Sequence, residues 1–159
     1  MSEFDLFQSI RIGDIDRFMM HINSDNLNSV NEYKQSLLHE SISSKNIIVS
    51  DYLIKNRIDL NAADYNGQTA LHYCAAHNTL DIAENVLNNG GLLNISDKYG
   101  NQPLWTAVFN AKSKNSYDMV KLFLRYTTDI NHKNNNGRSP LDFAHQINDE
   151  ELIKILCNS

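Results

Sequence analysis

The sequence predicts an all-α solenoid of about five stacked helix-turn-helix units. Three observations lead there. First, Gly67 recurs as Gly100, and Ser36-Leu37-Leu38-His39 recurs as Thr69-Ala70-Leu71-His72 at the same spacing. That spacing, about 33 residues, is the length of one supersecondary unit repeated along a chain. Second, each unit carries two short runs with apolar residues at helical spacing. Third, those runs are bounded by capping and turn residues. A unit this small cannot bury its apolar face alone, so it must stack on its neighbours.

The unit from Asp64 to Ser96 sets the pattern. Gly67 supplies the positive φ that a tight turn needs. Thr69 can cap a first helix, its hydroxyl accepting an N–H of the opening turn. Leu71, Ala75 and Ala76 lie on that helix. Thr79 caps a second, on which Ile82, Ala83, Val86 and Leu87 form an apolar stripe. Gly90-Gly91 ends it in the left-handed conformation. The run Thr69-Ala70-Leu71-His72-Tyr73-Cys74-Ala75, with its Asp64-x-x-Gly67 opening and Leu60-Asn61-Ala62 lead-in, resembles the ankyrin repeat, whose pattern carries T-P-L-H-x-A. It departs at two places: Ala70 stands for Pro, and the final spacing slips by one. The resemblance covers nearly the whole chain and implies a protein-binding module with no chemistry of its own.

Residues 1–159 are expected to form one ankyrin-repeat domain, with units near 1–30, 31–63, 64–96, 97–133 and 134–159. In the first, Phe4, Leu6, Phe7 and Ile10 form one stripe and Ile15, Phe18, Met19 and Ile22 a second, joined at Gly13-Asp14. Ser2, Glu3, Asp5 and Gln8 suit the exposed end of a stack. In the second, helices are predicted over Leu37–Ser44 and Ile47–Asn56, the latter capped by Asn46, and Lys34 stands where a turn glycine belongs. In the fourth, Pro103 suits the first position of a helix. Trp105 replaces the histidine and is expected to be largely buried beside Leu104, so that truncation to Ala costs about 3–5 kcal/mol. Gly137 follows Gly100 by four positions more than the period, and the surplus falls in 111–116, between the helices. In the closing unit, Asn148 and Glu151 have capping-box spacing ahead of Leu152, Ile153, Ile155 and Leu156.

The formal net charge of −5 argues against general nucleic-acid binding. The sequence shows no leader and no apolar run long enough to span a bilayer, so neither secretion nor membrane insertion is expected. Cys74 and Cys157 both fall at apolar helix positions and read as buried thiols in a reducing, cytoplasmic setting. Charge is uneven: residues 1–33 hold six acids and two bases, whereas 98–138 hold seven bases and two acids. This basic island is either a solvated face or a match for a partner of opposite asymmetry.

No motif carries chemistry. His39 and His72 occupy equivalent sites, and the family resemblance implies an inter-loop hydrogen bond for them. His72 and His77, five apart, do not share a helix face as a ligand pair would. The two cysteines lack zinc spacing. Gly90-Gly91 follows a helix instead of opening one, so it is no phosphate cradle. Neither catalytic residues nor a cofactor or metal are expected.

The recognition surface is expected on the turn tips and first helices. Three tips carry an aromatic anchor, at Tyr33, Tyr65 and Tyr99. Asn66, His77 and Phe109 are expected beside them, with Lys98, Lys112 and Lys114 as an electropositive edge. The chain starts at Met1 and shows no second domain, so it is expected to act as a freestanding monomer that occupies a surface on a protein partner. Small acidic ankyrin proteins of this form are similar to bacterial immunity proteins that neutralise a cognate toxin. An adaptor, regulator or host-targeting effector is the alternative.

Overall fold

The computed structural model describes residues 5–113 and 116–158. Ser2, Glu3 and Phe4, and Lys114 and Asn115 of the insertion, lie outside the described residues. Among the rest, ten helices form five pairs. These are α1 (Leu6–Ile12) with α2 (Ile15–His21), α3 (Leu37–Ser43) with α4 (Ile47–Lys55), α5 (Ala70–His77) with α6 (Leu80–Asn88), α7 (Pro103–Ala111) with α8 (Asp118–Leu124), and α9 (Pro140–Gln146) with α10 (Glu150–Cys157). Sheet content among the described residues is one bridge between Val30 and Ser36. The all-α solenoid read from the period is therefore the fold.

The first helices of the pairs pack on one another in chain order, and α4, α6 and α8 pack behind them. One continuous core runs through the stack. Phe18, Leu37, Leu38, Ile42, Leu53, Leu71, Ile82, Leu104, Phe123, Leu152 and Leu156 are all fully buried in it. The apolar stripes predicted from helical periodicity supply these side chains, which is why no pair stands alone.

Each short turn inside a pair uses the same two-residue device. A left-handed residue is followed by the N-cap of the outer helix: Gly13-Asp14, Lys45-Asn46, Asn78-Thr79 and Asn148-Asp149. Asp14, Asn46 and Asp149 each accept an N–H from the first turn of the helix that follows. This corrects the expectation for the last helix. Asn148 is the left-handed residue, at φ 52°, and Asp149 is the cap. Thr79 holds the cap position, but its hydroxyl makes no capping bond; it lies against the Cys74 thiol. The surplus expected at 111–116 falls at the junction of α7 and α8, with Ala111 as the last residue of α7.

One further expectation is overturned. Cys157 is exposed while Cys74 is fully buried. Position 157 is the last residue of α10. Trp105 is half-buried, resting on Phe143 at a centroid distance of 5.6 Å. It stands at the third position of α7 beside the fully buried Leu104, and most of its surface is covered, as its place in the repeat implies.

Candidate protein-binding face

The turns before α3, α5, α7 and α9 are each built on an Asn or Asp side chain. Asn31 accepts the N–H groups of Tyr33 and Gln35 at 2.9 and 3.0 Å. Asp64 does the same for Asn66 and Gln68 at 2.8 and 3.0 Å, and Asp97 for Tyr99 and Asn101 at 2.8 and 2.9 Å. Asn134 repeats it for Asn136 and Arg138 at 3.0 and 3.1 Å. A short polar side chain that bonds to the backbone two residues on is the usual driver of such turns. The fourth residue of each loop is left-handed: Lys34, Gly67, Gly100 and Gly137.

The tips are then bonded to each other. Tyr65 N–H donates to the Tyr33 carbonyl at 3.1 Å, Lys98 N–H to that of Asn66 at 2.8 Å, and Asn135 N–H to that of Tyr99 at 2.9 Å. This places Tyr33, Asn66, Tyr99 and Asn136 at one position of the loop, and Tyr65 and Lys98 at the position before it. The three tyrosines are therefore not strictly equivalent, as the recurrence had implied. Tyr65 comes one position early after Tyr33, and Tyr99 one position late after Tyr65. All three are nonetheless exposed, at 61, 73 and 56%. The Lys98 ammonium lies 4.9 Å from the Tyr99 ring centre and donates to the Asn66 side chain at 2.7 Å. Asn66, Lys98 and Tyr99 thus form one fixed group across two neighbouring tips.

Buried histidines hold the loops to the helices. The Ser36 N–H donates to His39 Nδ1 at 3.0 Å, and Thr69 N–H to His72 Nδ1 at 3.1 Å. Because each Nδ1 accepts, each Nε2 carries the proton. It donates to the next loop, to the Gln68 carbonyl at 2.9 Å and the Asn101 carbonyl at 3.0 Å. Burial lowers the pKa of both rings. The Tyr73 hydroxyl donates to Asp64 at 2.8 Å and accepts from Gln35 at 2.7 Å, and burial pushes its pKa up. In the last pair the place of these histidines is taken by Asp142, whose carboxylate pairs with Lys133 and accepts the Ser139 N–H. The Lys133 hydrogen bond, and then those of Ser139, lower its pKa to about 2.

On the inner helices, His77 is half-buried against Tyr73 and Phe109 is 57% exposed. Phe109 lies against Phe143, the two rings tilted by 40° with their centres 5.4 Å apart. Phe143 and Trp105 complete a cluster that the sequence reading did not assemble. Its signal was present: counting back one lengthened and one ordinary period from Phe143 leads to Tyr73, another aromatic on an inner helix. Lys98 precedes α7 and Lys112 follows it, and the helix between them is roughly 13 Å long at 1.5 Å per residue. Lys114 lies outside the described residues. Among the described residues, no group of three or more His, Cys, Asp or Glu is placed to hold a metal ion. No helix there is long and apolar enough to cross a membrane.

This arrangement of helix pairs, bonded tips and loop-tying histidines defines a repeat protein with an extended inner face. A family model for ankyrin repeats (3 copies) matches residues 6–97 and 91–159, and the chain belongs to the ankyrin-repeat family. It is 30% identical over 113 residues to Neurogenic locus notch homolog protein 1 of Mus musculus, covering 70% of this chain and 4% of that protein. It is 28% identical over 137 residues to an ankyrin repeat protein of Acanthamoeba polyphaga mimivirus, covering 86% of this chain and 16% of the relative. A Fowlpox virus ankyrin repeat protein is 26% identical over 153 residues, covering 75% and 79% respectively. The chain thus spans only a small part of the notch and mimivirus proteins.

Proposed function

We propose that this chain binds and inhibits another protein through its tips and inner helices, without chemistry of its own. Ankyrin repeats form an interaction module, which supports the general statement. The observation that carries the specific one is the row of exposed tyrosines, Tyr33, Tyr65 and Tyr99, on loops bonded tip to tip. Nothing in the loops requires an aromatic there, and a rigid backbone presents each ring at little entropic cost. Asn66, Lys98, His77 and Phe109 extend the face, and Lys112 marks its far end; Lys114 joins it as a charge read from the sequence alone. The particular inhibitory role we favour is that of an immunity protein, acting as a monomer in the cytoplasm, which covers the active site of a cognate toxin or blocks its substrate access.

The test starts from the partner recovered by affinity capture from the native cell. Tyr65→Ala and Tyr99→Ala should each weaken binding by more than about 1 kcal/mol, the usual hot-spot threshold, and leave Tm nearly unchanged. Normal binding by both variants, with loss on substitution of the outer helices, rejects the proposed face. A toxin as partner favours the immunity reading. A cellular protein favours an adaptor, regulator or host-targeting effector, a reading supported by relatives in which the matched segment is a small share of a long protein.

A further inference from the structure

We infer that Asn136, in the last tip, is the residue at which the folded chain converts spontaneously to aspartate and isoaspartate. Three asparagines precede a glycine: Asn66, Asn89 and Asn136. Glycine has no side chain to hinder attack by its backbone nitrogen on the carboxamide before it. In that reaction the glycine N–H gives its proton to solvent base, and the nitrogen forms a bond to Cγ of the asparagine. The Cγ–Nδ2 bond breaks, and Nδ2 leaves as ammonia with a proton from water. Water then opens the five-membered imide at either carbonyl, giving aspartate or the isoaspartyl link. The net change is one amide and one water to one carboxylate and one ammonium ion.

The fold separates the three sites. Each glycine N–H is bonded, Gly67 to the Asp64 carbonyl at 2.9 Å, Gly90 to that of Leu87 at 3.2 Å and Gly137 to that of Asn134 at 2.8 Å. Attack therefore waits for local opening. Asn66 and Asn136 share one loop position and can be compared directly. The Asn66 carbonyl accepts the Lys98 N–H at 2.8 Å, and its side-chain oxygen accepts from the Lys98 ammonium at 2.7 Å. A Cβ on Gly67 would meet the Asp97 and Lys98 backbone at 3.1 Å, so the next tip covers this turn. At Asn89 the side-chain nitrogen donates to both oxygens of Asn85, which draws the carboxamide back along α6. Asn61 of the neighbouring turn donates to the Gly90 carbonyl at 3.3 Å. Among the described residues the Asn136 carboxamide makes no hydrogen bond and no further tip lies over it, and a Cβ on Gly137 meets nothing within 4 Å. This tip is tied inward through the two residues before Asn136. Asn134 donates to the Asn101 side chain at 2.9 Å, and Asn135 to the carbonyls of Lys98 and Tyr99 at 3.1 and 2.9 Å. Asn136 and Gly137 stand exposed beyond those bonds, so they open most often.

Conversion rewrites the tip. The isoaspartyl form carries the chain through the side chain and lengthens the turn by one methylene. Asn134 then cannot keep both the Asn136 and the Arg138 N–H groups it now accepts. Either product places a carboxylate two residues from Arg138.

The test holds the intact protein in warm alkaline buffer, with and without denaturing guanidinium, and then digests it. Mass spectrometry with fragmentation that separates aspartate from isoaspartate gives a rate for each asparagine. The rates need no partner, so they stand apart from the binding test at Tyr65 and Tyr99. In the native protein Asn136 should convert at least about tenfold faster than Asn66 and Asn89, and in guanidinium that margin should vanish, because the fold alone creates it. A smaller native margin, no native conversion at Asn136, or a margin that persists in guanidinium overturns the inference.

Discussion

At the scale of the residue, the departures from the repeat pattern are where stability is held back. Lys34 and Arg57 have φ of 61 and 64°, at positions where the next unit has Gly67 and Gly90. Both are exposed, so their side chains contribute little packing, while a left-handed L-residue carries roughly 1–2 kcal/mol of strain. Lys34→Gly and Arg57→Gly should therefore each stabilise by about 0.5–1 kcal/mol after the entropy cost of glycine, read from urea midpoints at constant m. Gly100→Ala should move the other way. A Cβ there would stand 2.8 Å from the Asn135 backbone nitrogen, so the tip-to-tip bond between Asn135 and Tyr99 must break or shift. A loss smaller than that of Gly137→Ala, whose Cβ meets nothing within 4 Å, would contradict this. The thiols differ in the same residue-by-residue way. Burial pushes Cys74 up to about 12, whereas Cys157 is exposed. Native protein should consume one equivalent of a thiol reagent, and urea-unfolded protein two.

At the scale of the element, the inner helices are joined by two neutral histidines, and this makes the joints sensitive to acid. His39 and His72 have folded pKa values below the ordinary 6.5, because burial disfavours the charged ring and each Nδ1 already accepts a backbone N–H. The unfolded chain then binds protons that the folded one refuses. The stabilisation is complete above pH 6.5 and is lost as pH falls from there through the folded values. Tm should drop between about pH 7 and 5. In His39→Leu/His72→Leu, less stable overall, most of that slope should vanish; an undiminished slope would place its origin elsewhere. These joints were legible in the sequence, since two histidines one period apart, beside Ser36 and Thr69, repeat one cap. The last cap was not, because Asn148 and Asp149 are adjacent and both can cap; only the left-handed backbone at Asn148 decides between them. Cys157 was misjudged for a related reason. Periodicity assigns a residue to a helix face, but whether that face is covered depends on how far the next helix reaches.

At the scale of the whole molecule, stability should follow position along the stack. Each pair contacts only its neighbours, so a central pair is held on two sides and a terminal pair on one. Burial has this shape. In α5 every residue from Ala70 to Ala75 is buried, and α6 adds Ile82, Ala83, Val86 and Leu87. By contrast α2 buries Phe18 alone, α9 buries Pro140 and Ala144, and α10 buries Leu152 and Leu156. The repeat period made the order of the pairs readable, and their unequal burial follows from the side chains each one brings to the shared core. Local opening free energies track buried apolar contact. Native-state hydrogen exchange should therefore find the amides of α5 and α6 the most protected, with protection falling toward α2 and toward α9 and α10. The tip amides of Tyr65 and Lys98, which donate across units, should exchange with the central pairs and not with the loops around them. Protection of α9 and α10 equal to that of α5 would mean that the stack opens as a single unit, and the neighbour-by-neighbour account would then be wrong.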